Sequence, residues 1–195
     1  MMYLSQIILS FDECMKYRIR NDYDIHQLIV SLFPYGNERY LYYVDRSVSS
    51  YLKILLQSKQ EPENLLFGLM SVKSISDSFF RQDRYRFKVR VSPTKRKEGK
   101  ASSVLFGEEV EKWFIARTQN LGFTVVEESL ESVGRGVMKM RGSNGNLITI
   151  HYEDLSGMLD VTDQDKFIHN AIEKGIGPSK GFGCGLLQIK PIKNN

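Results

Sequence analysis

The 195-residue chain predicts an α+β protein made of two modules in tandem. Three observations carry that expectation. Runs with two-residue alternation and runs with helical spacing succeed one another along the chain. A polar, basic stretch at 93–103 divides them into two sets. The first set follows the order β-α-β-β-(α)-β, the ferredoxin-like arrangement. The expected modules are residues 1–92 and 104–195, with 93–103 as the linker.

Taken in order, Tyr3 to Ser10 (YLSQIILS) reads as a strand. Asn21-Asp22 supplies an N-cap, and Ile25, Leu28, Ile29 and Leu32 follow at helical spacing until Pro34 ends the pattern. Arg39 to Arg46 and Tyr51 to Ser58 are aromatic and aliphatic strands around a Ser-rich turn. A weak helix is expected near Glu61 to Leu69. Arg84 to Val91 alternates strictly, with Arg84, Arg86, Lys88 and Arg90 on one face and Tyr85, Phe87, Val89 and Val91 on the other. In the second set, Glu108 to Leu121 is an amphipathic helix stopped by Gly122, and Phe123 to Leu130 is a strand. Gly136 to Arg141 and Leu147 to Tyr152 form a hairpin turned by Asn144-Gly145. A helix from Asp163 to Lys174, a glycine-rich loop and a last strand from Cys184 to Ile189 complete the chain.

Bulk properties narrow the function. No apolar run is long enough to span a bilayer, and the first residues lack a signal-peptide pattern, so a cytoplasmic protein away from membranes is expected. Two cysteines, Cys14 and Cys184, are too few for a disulfide framework or a cysteine metal site. The histidines have no spaced metal-ligand partners, and neither metal nor cofactor is expected. The net charge of +4 is concentrated: Arg81 to Lys100 holds nine basic residues against two acidic ones. A positive stripe on an otherwise slightly acidic body points to a polyanion, most simply a nucleic acid.

Several constellations fit such a ligand. The stretch Gly175-Ile-Gly-Pro-Ser-Lys-Gly-Phe-Gly-Cys-Gly185 lets backbone N–H groups approach phosphate closely. Its helix–loop–strand order is the reverse of a dinucleotide loop or a P-loop, which suits a polymer backbone better than a mononucleotide. Four cations on one strand face repel one another unless a polyanion lies across them; a solvated edge strand guarded by charge is the other reading. Arg135, Lys139 and Arg141 share one face of the hairpin, either as a solvated surface or as an RNA-gripping arm. His26 lies off the apolar stripe of its helix, one turn after Tyr23. A histidine beside a phenol can move protons in RNA cleavage, although such a pair also occurs as plain helix surface.

Together these blocks resemble one family, the CasE-type CRISPR RNA-processing endoribonucleases of type I-E systems. The resemblance rests on Met2-Tyr-Leu-Ser-Gln-Ile-Ile-Leu, Ile25-His-Gln-Leu-Ile-Val-Ser-Leu-Phe-Pro34, Leu41-Tyr-Tyr-Val, Leu55-Leu-Gln-Ser, Tyr85-Arg-Phe-Lys-Val-Arg-Val-Ser-Pro-Thr-Lys95 and the glycine-rich segment. It implies two tandem ferredoxin-like (RRM-like) domains. It also implies metal-independent cleavage at the base of a CRISPR repeat RNA stem-loop, leaving a 2′,3′-cyclic phosphate and a 5′-hydroxyl, with assembly into Cascade. His26 falls on the family's catalytic histidine, and Tyr23 matches a tyrosine found in some members. RNA contacts are expected from Arg84, Arg86, Lys88, Arg90, Lys95 and Arg96, from Arg135, Lys139 and Arg141 of the hairpin, and from Gly175, Gly177, Ser179, Lys180 and Gly181 of the loop. The hairpin turn Gly142-Ser-Asn-Gly145 departs from the family's lysine-bearing turn and leaves the preferred repeat open. Two other readings stay open: a catalytically idle subunit that only holds the stem-loop, and an RRM-like adaptor that stacks bases on Tyr40, Tyr42 or Tyr43.

Overall fold

A computed structural model describes residues 1–33, 39–46, 50–63, 69–97, 100–142 and 144–192. Its first strand, β1 (Met2–Ser10), buries Ile7 and Leu9 and turns Ile8 and Ser10 outward. Ser10 then caps a short helix not expected from the sequence, α1 (Phe11–Lys16), through a capping box with Glu13. Helix α2 (Asp22–Ser31) begins where the Asn21 signal predicts. The Asn21 side chain accepts from the Tyr23 and Asp24 N–H groups, and the Asp24 carboxylate accepts the Asn21 N–H in return. Ile25, Ile29 and Leu32 pack on Ile7, Leu9, Ile54 and Leu56.

Strands β2 (Tyr40–Asp45) and β3 (Tyr51–Ser58) pair antiparallel, as their aromatic and aliphatic runs suggest. The Ser-rich turn at 47–49, Pro34 and residues 64–68 of the expected helix lie outside the described residues. The next strand, β4 (Met70–Ile75), pairs with β1 and closes a sheet in the order β2-β3-β1-β4. The sequence reading gave that place to Arg84–Val91, and here it is corrected. Strand β5 (Arg84–Val91) opens the second sheet instead.

After β5, the stretch expected to be a plain linker folds as a small hairpin, β6 (Thr94–Lys97) and β7 (Lys100–Val104). Helix α3 (Glu108–Thr118) runs into a 3₁₀ turn and stops at Gly122, whose φ is +79°. Strand β8 (Phe123–Val125) is shorter than expected, because residues 127–129 coil into a 3₁₀ turn. The hairpin is longer than expected: β9 (Glu131–Arg141) and β10 (Leu147–Val161) pair around the Gly142–Gly145 turn. The last helix starts as α4 (Gln164–Lys166), capped by Asp163, and widens into π geometry over Phe167–Glu173. Strand β11 (Leu187–Pro191) ends the fold.

The second sheet runs β11-β5-β10-β8, with β9 extending from β10. In the first sheet β1 and β3 are central and β2 and β4 lie at the edges; in the second, β5 and β10 are central and β8 and β11 lie at the ends, with the β9–β10 hairpin as an extension. Both modules are therefore ferredoxin-like, and the second begins at β5 rather than after residue 103. Its core stacks Tyr85, Phe87, Val89 and Val91 against Val110, Phe114, Phe167 and Ile172. Among the described residues no helix is long and apolar enough to cross a membrane.

Candidate active site

The capping box fixes the first turn of α2 and so aims Tyr23 and His26 from one flank, with ring centroids 6.3 Å apart. This flank meets the second module. Tyr23 joins an apolar cluster with Met138, Met140, Ile150 and Tyr152 on the inner face of the β9–β10 arm. Phe182 belongs to the same cluster, and the His26 ring lies 5.5 Å from it at a tilt of 43°.

The glycine-rich loop brings Phe182 there. At Gly175 the chain leaves the last helix with φ +71°, and a Cβ would lie 2.7 Å from Leu41 Cδ1 and 2.8 Å from the Gly185 carbonyl oxygen. Only glycine fits. The loop closes when the Ile176 N–H donates to the Gly185 carbonyl at 2.9 Å and the Gly185 N–H donates to the Arg90 carbonyl at 2.7 Å. Between these ties, Lys180–Phe182 form a 3₁₀ turn. The buried Tyr42 of β2 donates its hydroxyl to the Gly181 carbonyl at 2.7 Å, so the first sheet grips the turn that faces His26.

Burial lowers the His26 pKa below its ordinary value, and the nearby Gly181 backbone, which favours the charged ring, only partly offsets this. His26 Nδ1 is buried and lacks a partner of hydrogen-bonding geometry. The ring therefore meets solvent through Nε2, in its neutral form near pH 7. Lys180 opens this turn. Burial, followed by the charges of Arg39 and Lys174, pushes its pKa below the usual lysine value. Lys180 is thus a partly desolvated cation on the turn that faces the imidazole, close enough to Arg39 and Lys174 to feel their charge. Arg39 and Lys174 were not singled out from the sequence, because nothing in their spacing ties them to Lys180. At the start of α2, Asp22 pairs with Arg46.

The basic strand needs two corrections. First, β5 lies between β10 and β11, so the edge-strand reading does not hold. Second, Arg90 does not face outward. It is 5% exposed, paired bidentately with Asp154 at 2.7 and 2.8 Å, bonded to the Val44 carbonyl at 3.1 Å, and sandwiched between the Tyr43 and Tyr152 rings. Burial opposes its charge, but the Asp154 hydrogen bonds and charge outweigh that and raise its pKa. It holds the two sheets together and is closed to RNA. Arg84 is exposed but is held by Asp160. Arg86 and Lys88 remain without an ion pair among the described residues. Arg86 stands opposite Lys190, and Lys88 lies over Tyr43.

The loop needs a similar correction. Gly175 is buried and serves close chain packing rather than phosphate approach. Gly177, Ser179, Lys180 and Gly181 are partly exposed. On β9, Arg135, Lys139 and Arg141 do share the exposed face while Met138 and Met140 are buried, and Arg141 bonds the Gly145 carbonyl at 3.2 Å. Lys95 is exposed on β6, on the same short strand as Arg96. The aromatics Tyr42 and Tyr43 are buried, and Tyr40 stacks on Phe33, so β2 offers no free stacking platform of the kind the adaptor reading needs.

Two ferredoxin-like modules, joined where the buried Arg90 of the second bonds the Val44 carbonyl of the first and carrying an imidazole at their seam, define the chain as a tandem ferredoxin-like protein. A family model described as CRISPR associated protein matches residues 2–191, and the chain belongs to that family. It is 27% identical to the CRISPR system Cascade subunit CasE of Escherichia coli over 210 residues, which cover 98% of this chain and 100% of that protein. It is 24% identical to the CRISPR-associated endoribonuclease Cse3 of Thermus thermophilus, covering 97% of this chain and 100% of the relative. Its fold superposes with a TM-score of 0.82 on Cse3 bound to 19 nt RNA, at 23% identity over 97% of this chain and 99% of that one. The E. coli Cas6e structure gives a TM-score of 0.64 at 23% identity, covering 98% of this chain and all of that one.

Proposed function

We propose that the chain is an endoribonuclease that cleaves CRISPR repeat RNA at a stem-loop and stays with it as a subunit of a Cascade-type complex. The carrying observation is His26: an imidazole kept neutral by burial, with one nitrogen accessible, held against the turn that carries Lys180. Its relatives are an endoribonuclease and a Cascade subunit, and Cse3, which shares its fold, binds a 19 nt RNA.

The chemistry follows from those groups. The 2′-OH of the substrate attacks the adjacent phosphorus, so the protein supplies no nucleophile. A neutral His26 Nε2 takes the 2′ proton, or returns a proton to the departing 5′ oxygen once charged. In this reading Lys180 stabilises the charge that builds on the phosphorane oxygens, and its partial desolvation strengthens that interaction. Tyr23 orients the ribose next to His26. Arg86, Lys88, Arg135, Lys139 and Arg141 provide sequence-independent phosphate contacts. The products carry a 2′,3′-cyclic phosphate and a 5′-hydroxyl.

His26→Ala tests the assignment. Cleavage of a labelled repeat RNA should cease while the gel shift of the uncut RNA persists, and wild-type cleavage should continue in EDTA. Cutting by His26→Ala at the wild-type rate rejects the role of the ring. Arrest by EDTA rejects the metal-free route. A wild-type protein that shifts the RNA without shortening it would be the idle binding subunit.

A further inference from the structure

A second pocket lies at the root of the β9–β10 arm, on the face away from Tyr23. It encloses about 140 Å³ between Leu105, Phe106, Arg135, Val137, His151 and Glu153. Three features set it apart from ordinary surface. Phe106 is 57% exposed, with its ring edge-on to His151 at 5.9 Å. Arg135 stands opposite Glu153 across the hairpin, yet neither forms an ion pair or side-chain hydrogen bond among the described residues. Glu153 is only 6% exposed and lines the pocket. A carboxylate on a largely buried residue with no ion-pair partner is not accounted for by the cleavage site.

We infer that this pocket takes one unpaired guanine nucleotide of a bound RNA, an inference that rests on the RNA-binding reading above. The ring of Phe106 supplies the stacking face that splayed bases use. The carboxylate accepts only, and its two oxygens match two adjacent donors. Guanine presents that pair as N1–H and the 2-amino group. Adenine and cytosine each set a ring acceptor beside their amino group, and uracil offers one N–H between two carbonyls. Arg135 at the rim meets the phosphate of the same nucleotide. On the far side of Glu153 the cleft continues past Glu108 and Glu111 of α3, where a base edge is tolerated and a phosphate is not.

The test uses the intact chain and fluorescein-labelled pentanucleotides UUGUU, UUIUU, UUAUU and UUCUU, read by anisotropy. UUGUU should bind roughly tenfold more tightly than the other three, inosine included, because it lacks the 2-amino donor. That preference should vanish in Glu153→Gln and in Phe106→Ala, and survive in Phe106→Tyr. Phe106→Ala removes an exposed ring, so it reports on the pocket even where Glu153→Gln alters folding. Equal binding of the four probes, no measurable binding of UUGUU, or a guanine preference kept by both Glu153→Gln and Phe106→Ala overturns the inference. The probes contain no stem, so this failure leaves repeat cleavage untouched, and failed repeat cleavage leaves the probe result standing.

Discussion

Removing Asp154 tests a buried pair of the second sheet whose Arg90 is also the residue that reaches the first. In Asp154→Ala, the Arg90 guanidinium keeps its place between the Tyr43 and Tyr152 rings and its bond to the Val44 carbonyl, but loses both carboxylate contacts. At 5% exposure, water cannot replace them in the native state. Breaking one side of a buried pair costs about 3–5 kcal/mol, because an uncompensated charge remains. For a chain of this size each kcal/mol lowers Tm by roughly 2–4 °C, so a fall of about 6–20 °C is expected. Urea unfolding followed by tryptophan fluorescence and circular dichroism gives the same quantity as a shift in midpoint. Arg90→Met combined with Asp154→Leu should recover most of the loss, since an apolar replacement of a whole pair is often neutral. A cost below about 1 kcal/mol for Asp154→Ala, the range of exposed pairs, would refute the claim that this pair is desolvated and anchors Arg90 at the seam.

Three further outcomes follow from the same geometry. Gly175→Ala forces a side chain into a left-handed backbone against Leu41 and the Gly185 carbonyl; a loss of at least about 1–3 kcal/mol in thermal unfolding is expected, and an unchanged Tm contradicts the loop closure. Tyr42→Phe deletes the bond to the Gly181 carbonyl, costs about 1 kcal/mol, and should slow RNA cleavage more than it weakens RNA binding. The His26 Cε1 proton of the free protein should titrate below 6.5, because burial disfavours the charged ring. The unfolded ring takes its proton near 6.5 and the folded ring only at lower pH, so His26 carries no penalty above 6.5 and subtracts stability as pH falls through the folded pKa. His26→Ala should therefore be less acid-sensitive than the wild type, and a midpoint at or above 6.5 contradicts the burial.

What could be read from the residues was local. The Asn21 cap and the Ile25/Ile29 spacing locate α2 and set Tyr23 beside His26, because capping and helical period are properties of a few neighbouring residues. Alternation marks Arg84–Val91 as a strand but cannot say which sheet it joins; that depends on β10, more than 60 residues later. The same limit hides the fate of Arg90. Its alternation matches Arg86, yet Tyr43 of the other module and Tyr152 and Asp154 of β10 cover only that end of the strand. Met70–Ile75 escaped notice because half of it is Ser or Lys at an exposed sheet edge. The glycines signalled a special loop, but close packing and phosphate approach place the same demand for a missing Cβ. Only the Leu41 contact separates them at Gly175.

The proposal of cleavage by internal attack is tested most directly by one atom of the substrate. A repeat RNA carrying a single 2′-deoxy nucleotide on the 5′ side of the cut should bind the wild-type protein normally and remain intact, while the all-ribose RNA yields a product ending in a 2′,3′-cyclic phosphate. Cleavage of the deoxy RNA at the all-ribose rate would contradict the account.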